Sequence, residues 1–329
     1  MPFHPDSLPD LTGKVYIVTG GNAGMGYHTV SHLAKHNAHV YMCARSSSKA
    51  STALSSLKTT HPTSKITFLQ MDLTDLSSVV AAAQRFLSLE TSLHGLVNNA
   101  GIMAVPYSET NDGHEIQWQT NYLAHWVLTS HLLPVLLKTS QAAGPGGVRI
   151  VNVSSSGHLG APKGGIDFAA LEARRGSENG KGGGGEWTRY GQSKLANILH
   201  SNTLHRLYGP GSAAARSGEG EVWVSSVHPG LVETGLAGTV EKNTTGLAGM
   251  FDVARLFRLF VSAEKGSWTN LYCVAGTDMK KEESGGYREI LGRWLEPWWL
   301  SGAARDGELA ERLEAWTVEV MRREGWVEQ

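Results

Sequence analysis

The sequence predicts an α/β protein, a doubly wound parallel sheet with helices on both faces, and three observations carry the prediction. Apolar runs of strand length alternate with helix-length segments from residue 14 onward. The runs are near-continuously apolar rather than alternating, as strands covered on both sides are. The resulting βαβαβ rhythm implies right-handed crossovers within one sheet.

The elements follow in order. Strands are expected at "KVYIVTG" (14–20), "HVYMCAR" (39–45), "KITFLQMD" (65–72), "GLVNNAG" (95–101), "GVRIVNVSS" (147–155) and "EVWVSSVHPG" (221–230). Helical patterns lie between them at 24–36, 76–89, 112–138 and 189–208. Residues 176–185, "GSENGKGGGG", form a glycine-rich loop, and 209–220, "GPGSAAARSGEG", a second connector. Beyond Gly230 the pattern turns to helices near 244–262 and 264–276. A segment containing Trp294, Trp298 and Trp299 follows, and then an amphipathic helix near 305–323. We read one domain over 1–329. It comprises a dinucleotide-binding half (14–155), an insertion (157–187), a catalytic helix with the last core strand (188–234), and a substrate loop and tail (235–329).

Hydrophobic content of 41% with 18% charged residues indicates a globular chain with a substantial core. A formal net charge of −1 gives no reason to expect nucleic acid or an anionic membrane as partner. Two cysteines, Cys43 and Cys273, cannot build a disulfide framework and read as reduced, buried thiols. The first residues carry no basic stretch followed by an apolar run. The uncharged run 116–137 is long enough for a bilayer. Gln117, Gln119, Asn121, His125, His131 and Pro134 make it a buried helix instead, so no transmembrane segment is expected. These features together suggest a cytoplasmic protein.

The stretch "VTGGNAGMG" (18–26) follows the first strand and opens a helix. Gly20, Gly24 and Gly26 permit a tight turn and bring backbone N–H groups close to a pyrophosphate at a helix N-terminus. The second strand ends in "CARSSSK", with Arg45 at its tip and no acid before Asp72. An acid there would suit the ribose of NAD, whereas arginine suits the 2′-phosphate of NADP. Ser46, Ser47 and Lys49 add donors, so NADP(H) is favoured; a solvated strand-end charge is the plain alternative for Arg45. In "EWTRYGQSK" Tyr190 stands four residues before Lys194, on one helical face.

These pieces occur in a familiar order: the Thr19-Gly20-x-x-x-Gly24-x-Gly26 turn, "NNAG" (98–101), Asn121 in "QTNYLAHWVLT", "IVNVSS" (150–155) with "YGQSK" (190–194), and "HPGLVET" (228–234). From Lys14 to Thr234 the chain resembles the short-chain dehydrogenase/reductase family, whose members have a Rossmann fold. The "SKLANILHSNTLHR" helix and the long Ser155-to-Tyr190 interval resemble its retinol-dehydrogenase and WW-domain-oxidoreductase branch.

The resemblance implies a catalytic set of Asn121, Ser155, Tyr190 and Lys194. Tyr190 would be the general acid or base, its pKa brought down by the Lys194 ammonium. Ser155 would hydrogen-bond the substrate oxygen, and Asn121 would hold a water linking Lys194 to solvent. It further implies a cofactor site of Gly20, Asn22, Gly24, Met25, Gly26, Arg45, Asp72, Leu73, Asn99, Ala100, Gly101, Asn121, Tyr190, Lys194, Pro229, Gly230, Val232 and Thr234. No metal ligand is assigned. His158 is read as a solvated loop histidine and His228 as structural. The insertion is read as a loosely ordered surface segment or a lid, and Leu231, Leu236, Met250, Phe251 and Phe257 as an apolar substrate wall or helix packing.

The expected activity is hydride transfer between NADP(H) and a carbonyl or secondary alcohol of an apolar small molecule, in the reducing direction. A catalytically idle NADP(H)-binding scaffold or redox sensor is the reading from another class. A homodimer through the helices 112–138 and 189–208 is a further expectation from the resemblance.

Overall fold

The structure, a computed structural model, describes residues 3–173, 185–232, 260–289, 293–294 and 300–328. The expectations for Thr234, for Leu236, Met250, Phe251 and Phe257, for the helix near 244–262, for most of the glycine tract and for Trp298 and Trp299 lie outside the described residues.

The main sheet contains β1 (Val15–Thr19), β2 (His39–Ala44), β3 (Lys65–Gln70), β4 (Gly95–Asn98), β5 (Arg149–Val153) and β6 (Trp223–Val227). Two short strands, β7 (Leu231–Val232) and β8 (Phe260–Val261), pair in parallel apart from it. β9 (Tyr287–Glu289) and β10 (Arg293–Trp294) complete the sheet, in the order β10-β9-β6-β5-β4-β1-β2-β3. All pairings in it are parallel except β9 with β10. Strand order reverses between β1 and β4. That reversal opens a crevice at the carboxyl ends of the strands, where ligands of such sheets bind.

The main helices are α1 (Gly24–Lys35), α2 (Ser47–Thr60), α3 (Leu76–Leu89), α4 (Ala124–Ala143), α5 (Glu186–Tyr208), α6 (Ala263–Ala275) and α7 (Gly307–Arg323). Successive strand residues face opposite sides, and the core divides accordingly. Val18, Val40, Met42, Val97 and Val151 pack with Val30 and Leu33 of α1, Leu57 of α2 and Leu271 of α6. Ile17, Tyr41, Leu96 and Ile150 pack with Val79 and Phe86 of α3, Leu128 of α4, Leu195 and Leu199 of α5 and Leu313 of α7. Each fully buried leucine in these layers contributes about 2 kcal/mol.

The strands end sooner than their apolar runs do. β4 stops at Asn98, and β5 stops at Val153. The remaining residues leave the ladder and become site loops. The expected helix at 112–138 begins as one turn at Ile116–Trp118, widens into a π-helical turn at Gln119–Leu123, and continues as α4 to Ala143. Two elements carry little sequence signal: α2, whose serines dilute its apolar face, and the three-residue β9.

The insertion after Gly157 is not loose where it is described. A 3-10 turn, Ser156–Gly160, lies against α5, and Ile166 and Phe168 enter the core. Contact is close because Gly191 has no side chain: a Cβ there would stand 2.7 Å from the Ala161 nitrogen and the Gly157 oxygen. The C-terminal helix α7 covers α4 and α5. Tyr122 Oη meets Thr317 Oγ1 at 2.8 Å, and Trp126 Nε1 donates to Glu314 at 3.0 Å. The chain's own tail thus packs on one face of the helices expected to make a dimer interface. Among the described residues no helix is long and apolar enough to cross a membrane.

Candidate active site

At the end of β1, Gly20 and Gly24 take left-handed φ of +64° and +54°, which shapes the turn into α1. Gly26 lies where α1 crosses this turn; a Cβ there would collide with the Gly20 carbonyl and stand 2.7 Å from Asn99 Nδ2. The first turn of α1 has neither a side-chain cap nor an acidic residue. In contrast, α2, α3, α6 and α7 are capped by Ser46, Asp75, Ser262 and Asp306. Uncapped N–H groups beside a glycine turn form an anion cradle, so the residues present fit a dinucleotide pyrophosphate. Met25 reaches back to α6, where both its sulfur and Val232 bound the space above Gly266. Asn22 is partly exposed on the same turn.

Arg45 is exposed at the tip of β2, next to Ser46. Asp72 is committed locally: Oδ1 accepts from the Thr74 amide at 2.9 Å and the Thr74 hydroxyl at 2.7 Å. Leu73 is buried beside it. On the loop after β4, the Asn99 and Ala100 amides donate to Thr19 Oγ1 at 2.9 Å each. Gly101 lies where a Cβ would be 3.0 Å from Asn121 Oδ1 and 3.3 Å from Lys194 Nζ. Pro229 is buried, and Gly230 takes φ +87°.

The four expected catalytic residues come from three segments and converge. Ser155 follows β5 and caps the 3-10 turn, its Oγ accepting from the Gly157 amide at 3.0 Å. The same side chain and the Tyr190 ring both border the space at Gly157. Tyr190 and Lys194 lie one turn apart on α5, both buried, with Nζ 5.8 Å from the centre of the tyrosine ring. Lys194 Nζ donates to the Val153 carbonyl at 2.9 Å. Ser154 turns toward α5 instead, donating to the Lys194 carbonyl at 2.7 Å.

Asn121, fully buried in the π-helical turn, spends its amide group on neighbours. Its Oδ1 accepts from the Ile102 amide at 2.8 Å, and Nδ2 donates to the Ile102 carbonyl at 3.0 Å and Ser193 Oγ at 2.9 Å.

The electrostatics depart from the expectation in one respect. Burial pushes the Tyr190 phenol up to about 12, with the Ser155 hydrogen bond pulling the other way. Burial likewise pushes the Lys194 ammonium down to about 8. At both groups desolvation is the largest cause and favours the neutral form, so the Tyr190 phenol lies above its ordinary value rather than below it.

His158 also departs from its reading as a solvated loop histidine. It is 2% exposed, its Nδ1–H donates to the Ser155 carbonyl at 2.7 Å, and its ring lies 5.4 Å from that of Tyr287. The docking of the 3-10 turn on α5 buries it, a tertiary event that loop composition does not announce. His228 is buried at the end of β6, and its amide donates to the Arg288 carbonyl at 2.7 Å. Residue reading assigned no role to Thr19, Ser193 or His125. His125 carried one usable signal, its position four residues after Asn121 on the same helix face.

A glycine turn onto an uncapped helix, at a strand-order reversal beside a buried Tyr-Lys pair, defines a dinucleotide-dependent oxidoreductase. The short chain dehydrogenase family model matches residues 14–170. A protein of Aspergillus calidoustus called short-chain dehydrogenase/reductase drtF is 48% identical over 325 residues, 98% of each chain. Human retinol dehydrogenase 12 is 34% identical over 310 residues, covering 94% of this chain and 85% of that one. Among solved structures, an uncharacterized protein from Mycobacterium paratuberculosis has 27% identity and a TM-score of 0.70, with 98% of each chain covered. The NADPH-bound carbonyl reductase from chicken fatty liver shares the fold, at 22% identity and TM-score 0.61 over 88% of this chain and 97% of that one. The chain belongs to the short-chain dehydrogenase/reductase family and is an oxidoreductase of that family, which uses NAD(P).

Proposed function

We propose that the protein is an NADP(H)-dependent reductase acting on a ketone or aldehyde of an apolar small molecule. The observation that carries this reading is the convergence of Ser155, Tyr190 and Lys194, with Tyr190 and Lys194 buried one turn apart on α5 and Nζ 5.8 Å from the centre of the tyrosine ring. A phenol placed there can give its proton to a carbonyl oxygen during reduction and take it back during oxidation of the alcohol.

A nicotinamide cofactor held here would supply the hydride. Tyr190 Oη would deliver its proton to the substrate oxygen, and Ser155 Oγ would hydrogen-bond that oxygen as negative charge develops on it. Lys194 stabilises the phenolate left behind and holds the cofactor ribose. Asn121 fixes the Ile102 end of the loop bearing Gly101, which lies against Nζ. Asn22, Gly24, Met25 and Gly26 supply the pyrophosphate cradle. Asp72, Leu73, Asn99 and Ala100 line the adenosine side, and Pro229, Gly230 and Val232 the carboxamide side. Arg45 favours NADP(H), since an exposed guanidinium at the β2 tip suits a 2′-phosphate better than a ribose hydroxyl.

The apolar substrate is supported by exposed leucines. Leu159 and Leu231, 57% and 43% exposed, stand on the segments that follow Ser155 and Pro229-Gly230. A relative named for retinol carries the same implication.

The test is NADPH and NADH oxidation by the purified protein over a panel of apolar ketones and aldehydes, with Tyr190→Phe alongside. Turnover with NADPH that disappears in Tyr190→Phe is expected. NADPH binding without turnover across the panel, or turnover indifferent to Tyr190, would overturn the reading.

A further inference from the structure

His125 belongs to no expected site, yet both of its ring nitrogens are engaged. It is 2% exposed. Nδ1 lies 3.1 Å from the Asn121 backbone carbonyl oxygen, and Nε2 lies 2.9 Å from Thr19 Oγ1. A carbonyl oxygen only accepts, so Nδ1 carries the proton and Nε2 must accept. The Thr19 hydroxyl fits that assignment. Its two lone pairs take the Asn99 and Ala100 amides at 2.9 Å, which leaves its single proton for His125 Nε2. The competing acceptor, the Val97 carbonyl, is farther away at 3.4 Å.

The two partners of His125 grip the same loop from opposite ends. Thr19 holds Asn99 and Ala100 through its hydroxyl, and its carbonyl takes Asn99 Nδ2 at 2.9 Å. Asn121 holds both the amide and the carbonyl of Ile102. Between these grips lies Gly101, against Lys194 Nζ. The loop therefore faces the dinucleotide turn at one end and the Tyr190–Lys194 pair at the other.

We propose that neutral His125 is a positioning residue that ties the Thr19 and Asn121 grips together, so that the dinucleotide turn and the catalytic helix hold the 99–102 loop as one unit. The proposal rests on the nicotinamide-dinucleotide reading of this site. Burial favours the neutral ring, with a pKa pushed down to about 4. A protonated ring would turn a second N–H toward a Thr19 oxygen whose lone pairs are already filled.

Two substitutions separate the bonds. In His125→Asn the amide nitrogen can replace Nδ1 and keep the Asn121 bond, while the reach to Thr19 is lost. In His125→Gln the side-chain oxygen can replace Nε2 and keep the Thr19 bond, while Asn121 is released. Amide hydrogen exchange reads the result without a substrate. His125→Asn is expected to speed exchange at Asn99 and Ala100 about tenfold and to weaken NADPH binding about tenfold by fluorescence titration. His125→Gln is expected to speed exchange at Ile102 and in the 119–124 turn, with NADPH affinity changed less than threefold. Thr19→Val removes the acceptor of the Asn99 and Ala100 amides itself, and so sets the largest acceleration that His125→Asn can produce at those two positions. Uniform acceleration in both variants that tracks a fall in Tm, or no change in either, would overturn the proposal. A wild-type protein that fails to bind NADPH would refute the cofactor reading, and the exchange pattern would still decide the clamp.

Discussion

Gly26→Ala adds one methyl group where α1 crosses the β1 turn. Its carbon would stand 2.7 Å from Asn99 Nδ2 and 2.8 Å from the Gly20 carbonyl carbon, and it would overlap the Gly20 oxygen outright. Comfortable contact begins at about 3.5 Å, so the helix start and the turn must separate by roughly 1 Å. Overpacking of this kind costs about 1–3 kcal/mol, partly offset by the ~1 kcal/mol helix preference of alanine over glycine. Global stability should therefore fall only slightly. Binding should suffer more, because the first-turn N–H groups that receive the pyrophosphate move with the helix. Loss of one hydrogen bond to a charged group is worth about 1.5–3 kcal/mol, or roughly 10- to 100-fold in Kd. NADPH titration by fluorescence, with Tm measured in parallel, reads both quantities. Binding within twofold of wild type at unchanged Tm would refute the cradle assigned to this turn.

Three further outcomes are expected. Arg45→Asp should move preference from NADPH toward NADH by about 10- to 100-fold in the ratio of Kd values, the worth of one charged contact; an unchanged ratio would reduce Arg45 to a solvated strand-end charge. Lys194, held down to about 8 from its ordinary 10.5, should impose an alkaline limb near pH 8 on kcat/KM, and Lys194→Arg should move that limb upward. Between pH 8 and 10.5 the unfolded chain keeps a proton that the folded chain has released, so the Lys194 contribution to stability rises with pH there, which urea midpoints across the window report. Leu313→Ala, at a position 1% exposed on the buried face of α7, should cost about 2–5 kcal/mol in urea unfolding and leave NADPH affinity unaltered.

Much of this was determined by sequence alone. Near-continuous apolar runs specify strands buried on both faces because each run must fill both layers of core, and the structure divides Ile17 from Val18 in just that way. The glycine turn and the one-turn spacing of Tyr190 and Lys194 are local geometry, legible wherever the chain is read in order. What only tertiary structure decided are facts about distant partners. Residue types cannot reveal that Gly191 admits the 3-10 turn and so buries His158, or that α7 returns to cover α4 and α5. Nor can they show that burial raises the Tyr190 phenol, since desolvation depends on what encloses a group rather than on its neighbours in sequence. His125 joins Thr19 to Asn121 across more than a hundred residues, and only the closed sheet brings the three together.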